Sequence, residues 1–106
     1  MRTPFDPQSH APGFYADPDG ARWIYAGALT FANASAVFAA TALTPLPTAG
    51  EVDLSAVIAL DSSAVAVLLA LSRRAREEGK PLVFTRVPAA LRALADLYSV
   101  EDLLAA

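Results

Sequence analysis

Cysteine is absent from this 106-residue chain. No disulfide, thiolate nucleophile or Cys-ligated metal can be built from it. Histidine occurs once, as His10, in a proline-rich stretch where it is expected to face solvent. No second imidazole exists for a multi-His metal site, and none is placed to activate a serine in a Ser-His-Asp triad. GxSxG, GxxxxGK(S/T) and GxGxxG are all missing, which removes the signals of a nucleophile elbow, a P-loop and a dinucleotide fold. We expect no catalysis, no metal and no cofactor.

Charge is also scarce. Only 18% of residues are charged, against 55% hydrophobic, and the formal net charge is -3. A negative balance argues against non-specific nucleic-acid binding. Long apolar runs are lacking, because none reaches the roughly 20 residues that span a bilayer. The most apolar one, residues 64–71, is stopped by Arg73, Arg74 and Arg76. Direct membrane insertion is not expected. Pro4, Pro7 and Pro12 interrupt any basic-then-apolar leader pattern. With no cysteine either, the expected compartment is the cytoplasm.

What remains is enough for one domain with a core. Residues 1–13 hold three prolines and no periodicity, and are expected to form a flexible tail. Residues 14–106 are expected to form a single α/β domain. Asp17-Pro18-Asp19-Gly20 is a turn between two strand-like stretches, so a β-hairpin is expected there. In the second strand Trp23 and Tyr25 share one face and should pack in the core. Thr30 can cap a helix over residues 31–43, whose stripe Phe31, Ala34, Val37 and Phe38 should face the sheet. After a Pro-rich loop, residues 51–60 read as a central strand. A helix follows from Ser62 to about Glu78, with Gly79 as its stop. Residues 82–85 form the next strand, so this segment is a βαβ unit with parallel strands and a right-handed crossover. Pro88 opens a further helix with the stripe Leu91, Leu94, Ala95 and Tyr98. Ser99 can cap a last short segment. The expected fold is a small mixed sheet with a hairpin, a βαβ unit and helices packed on it.

Polar residues cluster at one point of the apolar centre, Asp61-Ser62-Ser63. Two readings of this turn stand side by side. One is helix capping, for which a single residue suffices. The other is an exposed hydroxyl at a helix N-terminus, where free amides can hold a phosphate on Ser62 or Ser63. The helix after the turn is apolar nearly all round: Val65, Leu68 and Leu69 on one side, Ala64, Val67 and Leu71 on another. Such a helix is buried on both sides or meets a partner. We expect a partner here, bound through Asp61, Ser62, Ser63, Ala64, Val67 and Leu71. The basic residues Arg73, Arg74, Arg76, Lys80, Arg86 and Arg92 read as a solvated group that complements helix C-terminal dipoles.

The stretch VDLSAVIALDSSAVAVLLALSRRAREEGKPLVF resembles the centre of a STAS domain: an apolar strand, D-(S/T)-x-G, an apolar helix, then a strand. WIYAGALTF resembles the early strand and G-x-L-(T/D) of that family. Position 64 departs from the pattern, carrying Ala64 where the family usually has Gly. The resemblance runs from about Phe14 to the C-terminus. It implies a non-enzymatic binding module of one of two kinds. Anti-anti-sigma factors carry D-S-S-G and are phosphorylated by an anti-sigma kinase at the position of Ser63. Mla-type subunits carry a hydroxyl residue directly after the Asp, here Ser62, and bind the cytoplasmic ATPase of a phospholipid-transporting ABC system. LRALADLYSVEDLL and GALTFANASAVF resemble the transport subunits, which makes the ABC ATPase the expected partner. Membrane association would then come through the transporter complex. The anti-sigma antagonist is the alternative.

Overall fold

The computed structural model describes residues 10–104, so the expected tail lies mostly outside the described residues. The elements run β1 (Gly13–Ala16), β2 (Arg22–Leu29), α1 (Ala34–Thr41), β3 (Glu51–Leu60), α2 (Ser62–Glu77), β4 (Val83–Thr85) and α3 (Ala89–Leu97). A 3-10 turn, Glu101–Leu104, follows. The strands form one sheet in the order β1-β2-β3-β4. β1 is antiparallel to β2, while β2–β3 and β3–β4 are parallel. This is the mixed α/β sheet with an N-terminal hairpin that the sequence led us to expect. The hairpin turn is closed by Asp17, whose carbonyl accepts from the Gly20 amide at 3.0 Å.

The pleat decides which side chains meet the helices. Ala16, Trp23, Val52 and Phe84 lie in one row across the sheet, and Tyr15, Ile24, Asp53 and Thr85 in the next. Neighbouring rows face opposite sides. Trp23, Val52 and Phe84 are buried, and join Leu68, Leu71 and Ala75 of α2 and Leu91 and Ala95 of α3 in one core. Each large apolar side chain so buried contributes about 1.5–3 kcal/mol. Phe14 tilts against Trp23 and meets Tyr25 edge-on, with ring centroids 5.6 and 4.7 Å apart. The opposite face mixes charged and apolar residues: Arg22 pairs there with Glu51 at 3.3 Å, in one row with the exposed Val83.

β3 carries more residues than β2 over the paired stretch, and the register shifts twice. At the second shift Val57 and Ala59 oppose Gly27 and Ala28, which leaves Ile58 as the extra residue. Ile58 is 79% exposed as a result.

Two expected stripes need correction. The first helix begins at Ala34, not Phe31, and Phe31 is 87% exposed. The cause is Asn33. Its Nδ2 donates to the Ala28 carbonyl at 2.8 Å and its Oδ1 accepts from the Thr30 amide at 3.0 Å. These bonds hold residues 30–33 in turns, so Phe31 never joins the helical spacing. Tyr98 likewise misses the core, because α3 ends at Leu97 and Tyr98 is its C-cap.

The end of α3 has a further consequence. Ser99 has φ 57°. Its amide donates to Asp96 O at 3.0 Å, and the Val100 amide donates to Ala95 O at 2.8 Å. This is a Schellman closure with serine in the place glycine usually takes. The left-handed conformation costs an L-residue roughly 1–2 kcal/mol, part of which glycine returns through unfolded-state entropy. Ser99→Gly is expected to stabilise the domain by about 0.5–1 kcal/mol. A urea melt with an unchanged or lower midpoint would contradict this.

Candidate functional site

β3 delivers the chain to Asp61 in extended conformation, φ -139° and ψ -167°, and α2 starts at the next residue. The Asp61 carboxylate is shared between two elements. Oδ1 accepts from the Ser63 amide at 2.8 Å, which caps α2. Oδ2 accepts from the Phe31 amide at 2.9 Å, which ties the β2–α1 connection to the same point. The Ala64 amide donates to the Asp61 carbonyl at 3.0 Å. The Ser63 and Ala64 amides are thus both engaged within the turn, which is the geometry of a capped helix start.

These bonds favour the charged carboxylate. The Phe31 amide first, then the Ser63 amide, hold the Asp61 pKa below its ordinary 3.8. A depressed carboxylate stabilises the fold above its unfolded pKa and loses that contribution as pH falls through the folded value. Asp61→Asn keeps the shape but has one acceptor oxygen for two amides. We expect a thermal midpoint lower by roughly 4–8 °C at neutral pH. The gap to wild type should narrow as pH drops below about 3.8. A gap that stays constant into acid would show that the charge is not what matters.

The β2–α1 connection is itself anchored. The Ala28 carbonyl accepts from both the Tyr25 hydroxyl at 2.6 Å and Asn33 Nδ2 at 2.8 Å. Burial pushes the Tyr25 hydroxyl pKa up to about 12, so it stays a donor at any ordinary pH. The chain from Tyr25 through Ala28 and Asn33 thus fixes where Phe31 stands.

Of the residues expected to bind a partner, the structure brings Asp61, Ser62 and Ser63 together, with Ser62 exposed and Ser63 half-buried. Ala64, Val67 and Leu71 go elsewhere: all three are buried in the core. The expectation that they meet a partner is corrected, since α2 is covered on both apolar sides. Val65 and Leu68 are buried as well. The solvent side of α2 carries Ser62, Ala66, Leu69 and Arg73. Ala66 there helps the helix look apolar all round while leaving little to bury. Arg74 is not simply a solvated cation. It donates to the Thr41 and Thr44 carbonyls at 2.8 and 3.1 Å and to Glu78 at 2.8 Å, closing the C-terminal end of α1 against α2.

Sequence reasoning missed Phe31. An aromatic ring 87% exposed and one hydrogen bond from Asp61 is the largest apolar group beside the turn. The signal that could have found it is Asn33, an amide three residues after Thr30 that competes with a helix start.

The fold is thus a four-stranded mixed sheet with an Asp-capped helix at the end of its long parallel strand. The chain matches the family model described as Mlab, STAS domain, over residues 25–105. It belongs to the STAS domain family and is MlaB-like within it, a family that is generally non-enzymatic. A search of the curated proteins finds no match. No helix among the described residues is long and apolar enough to cross a membrane.

Proposed function

We propose that this chain is the STAS subunit of a phospholipid-transporting ABC system, docking on the system's cytoplasmic ATPase and regulating it. The observation that carries the reading is the exposed Phe31 ring, held beside Ser62 because Asp61 bonds both the Phe31 amide and the first turn of α2. Aromatic anchors beside a few polar groups are what dominate protein–protein interfaces. Ile58, three residues before Asp61, and Leu69 on the outer side of α2 add exposed apolar area. The family description and the ending LRALADLYSVEDLL support the transport branch.

The test is capture of the cytoplasmic ATPase of a phospholipid-transporting ABC system by the purified protein, with Phe31→Asp and Ser62→Glu as variants. Both positions are exposed, so folding should survive. Loss of capture in both, with unchanged thermal midpoints, is the expected result. Capture that survives both substitutions would refute this docking surface. If instead an anti-sigma kinase and ATP add the mass of one phosphate at Ser63, the antagonist function would replace the transport one.

A further inference from the structure

Residues 30–33 join β2 to α1 at the surface, with Phe31 and Ala32 both exposed. A surface loop can leave its amides to water. Here all four are engaged. The Thr30 amide donates to Asn33 Oδ1 at 3.0 Å and the Phe31 amide to Asp61 Oδ2 at 2.9 Å. The Ala32 amide donates to Thr30 Oγ1 at 3.3 Å, and the Asn33 amide to the Thr30 carbonyl at 3.0 Å. The loop is thus held in one shape around a ring that gains no burial from it, since Phe31 is 87% exposed.

Two of the anchors come from outside the loop. One is the Asp61 carboxylate. The other leads into the core. The Ala28 carbonyl, next to the end of β2, accepts from Asn33 Nδ2 at 2.8 Å and from the Tyr25 hydroxyl at 2.6 Å. Tyr25 is fully buried, and its ring packs edge-on against Phe14 with centroids 4.7 Å apart. That packing needs a ring and no hydroxyl. What the hydroxyl adds is its bond to the carbonyl that also holds Asn33. A loop already in its bound shape loses less freedom on association, so such anchoring improves affinity without touching a partner.

We propose that Tyr25 is a positioning residue for docking: its buried hydroxyl, through the Ala28 carbonyl and Asn33, holds the loop that presents Phe31 in its binding shape. The role rests on the docking surface proposed above, and adds to it a residue that no partner touches.

The experiment measures the affinity of the full chain for the cytoplasmic ATPase of a phospholipid-transporting ABC system, with Tyr25→Phe and Thr41→Val as variants. Thr41→Val is the matched control. Thr41 is 4% exposed, and its hydroxyl donates to the Phe38 carbonyl, also at 2.6 Å, at the far end of α1. Each variant loses one buried hydroxyl bond, so their thermal midpoints should fall by similar, small amounts. Tyr25→Phe is expected to weaken ATPase binding roughly three- to tenfold, and Thr41→Val to change it by less than about twofold. Without ATPase, the Phe31 amide should exchange its hydrogen roughly threefold faster or more in Tyr25→Phe, while the amides of α2 keep their protection. Asn33→Ala removes the other donor to the same carbonyl. It should repeat both effects, and is read in place of Tyr25→Phe if that variant fails to fold. Undiminished binding by a folded Tyr25→Phe would overturn the proposal and leave docking at Phe31 intact. Equal weakening in Thr41→Val would also overturn it, because general destabilisation then accounts for the loss. An unchanged Phe31 amide would do the same whether or not the ATPase binds. No binding by the wild-type chain would overturn the docking surface and the role of Tyr25 together.

Discussion

Leu71→Ala is expected to cost the domain about 3 kcal/mol, within the range of 2–5 for leucine truncation in cores. Leu71 is fully buried, in one cluster with Leu54, Leu68, Leu91 and Ala75. Removing its branched end loses the transfer energy of three carbons and leaves a void between α2 and the sheet. Typical domains hold only about 5–15 kcal/mol in total, so the urea midpoint should fall by a large fraction while the slope stays the same. The same variant separates two roles for this residue. If Leu71 is core, the folded fraction of Leu71→Ala captures a partner as well as wild type does, and the whole loss tracks unfolding. Phe31→Ala should behave in the opposite way, with an unchanged melt and lost capture. A Leu71→Ala protein with a wild-type midpoint and no capture would place that residue at the partner surface instead of in the core.

The contrast between Leu71 and Phe31 shows where the amino-acid sequence was legible. The hairpin turn at residues 17–20, the strand over residues 51–60 and the stop at Gly79 all rest on local rules: turn residues, apolar runs and a C-cap. Each appeared where those rules put it. Capping by Asp61 also rests on local spacing, and the Ser63 amide sits two residues away. What spacing could not contain is the second oxygen of the same carboxylate, which reaches an amide 30 residues earlier. Nor could it contain Asn33, whose bond to the Ala28 carbonyl displaces the helix start. The outer side of α2 was misread for a compositional reason. Ala66 and Ala70 count as apolar in a helical pattern, yet an exposed alanine costs almost nothing. A helix rich in alanine therefore hides which side faces water, and only the packing of Val65, Leu68 and Leu71 settles it. Bulges acted the same way in β3: a strict alternation would give Ile58 a paired position, and the extra residue turns it outward instead. The candidate site is thus half local and half tertiary. Its polar point could be located from the sequence, while its aromatic neighbour depends on long-range bonds.

Gly50→Ala should be the other strongly damaging substitution, and Gly20→Ala is its control. The two glycines have nearly the same backbone, φ 73° and 72°. An alanine at either pays roughly 1–2 kcal/mol for the left-handed conformation, partly offset by the reduced freedom of its unfolded chain. Their surroundings differ. A Cβ at Gly20 would meet nothing within 4 Å, whereas a Cβ at Gly50 would lie 2.8 Å from the Pro81 carbonyl oxygen. That oxygen belongs to backbone, so the chain itself must shift. Gly50 is also where the last parallel pairing begins, since the Val83 amide donates to the Gly50 carbonyl at 2.7 Å. β4 is only three residues long and Phe84 is its single core anchor. A shift at Pro81 moves β4 away from β3 at its first bond, and Phe84 with it. We expect Gly20→Ala to cost about 1 kcal/mol and Gly50→Ala about 3 or more. Hydrogen exchange should show the amides of β4 opening selectively in Gly50→Ala, ahead of those in β2. Equal costs for the two alanines would mean that the Pro81 carbonyl yields freely, and that β4 is held by Phe84 in the core rather than by its junction with Gly50.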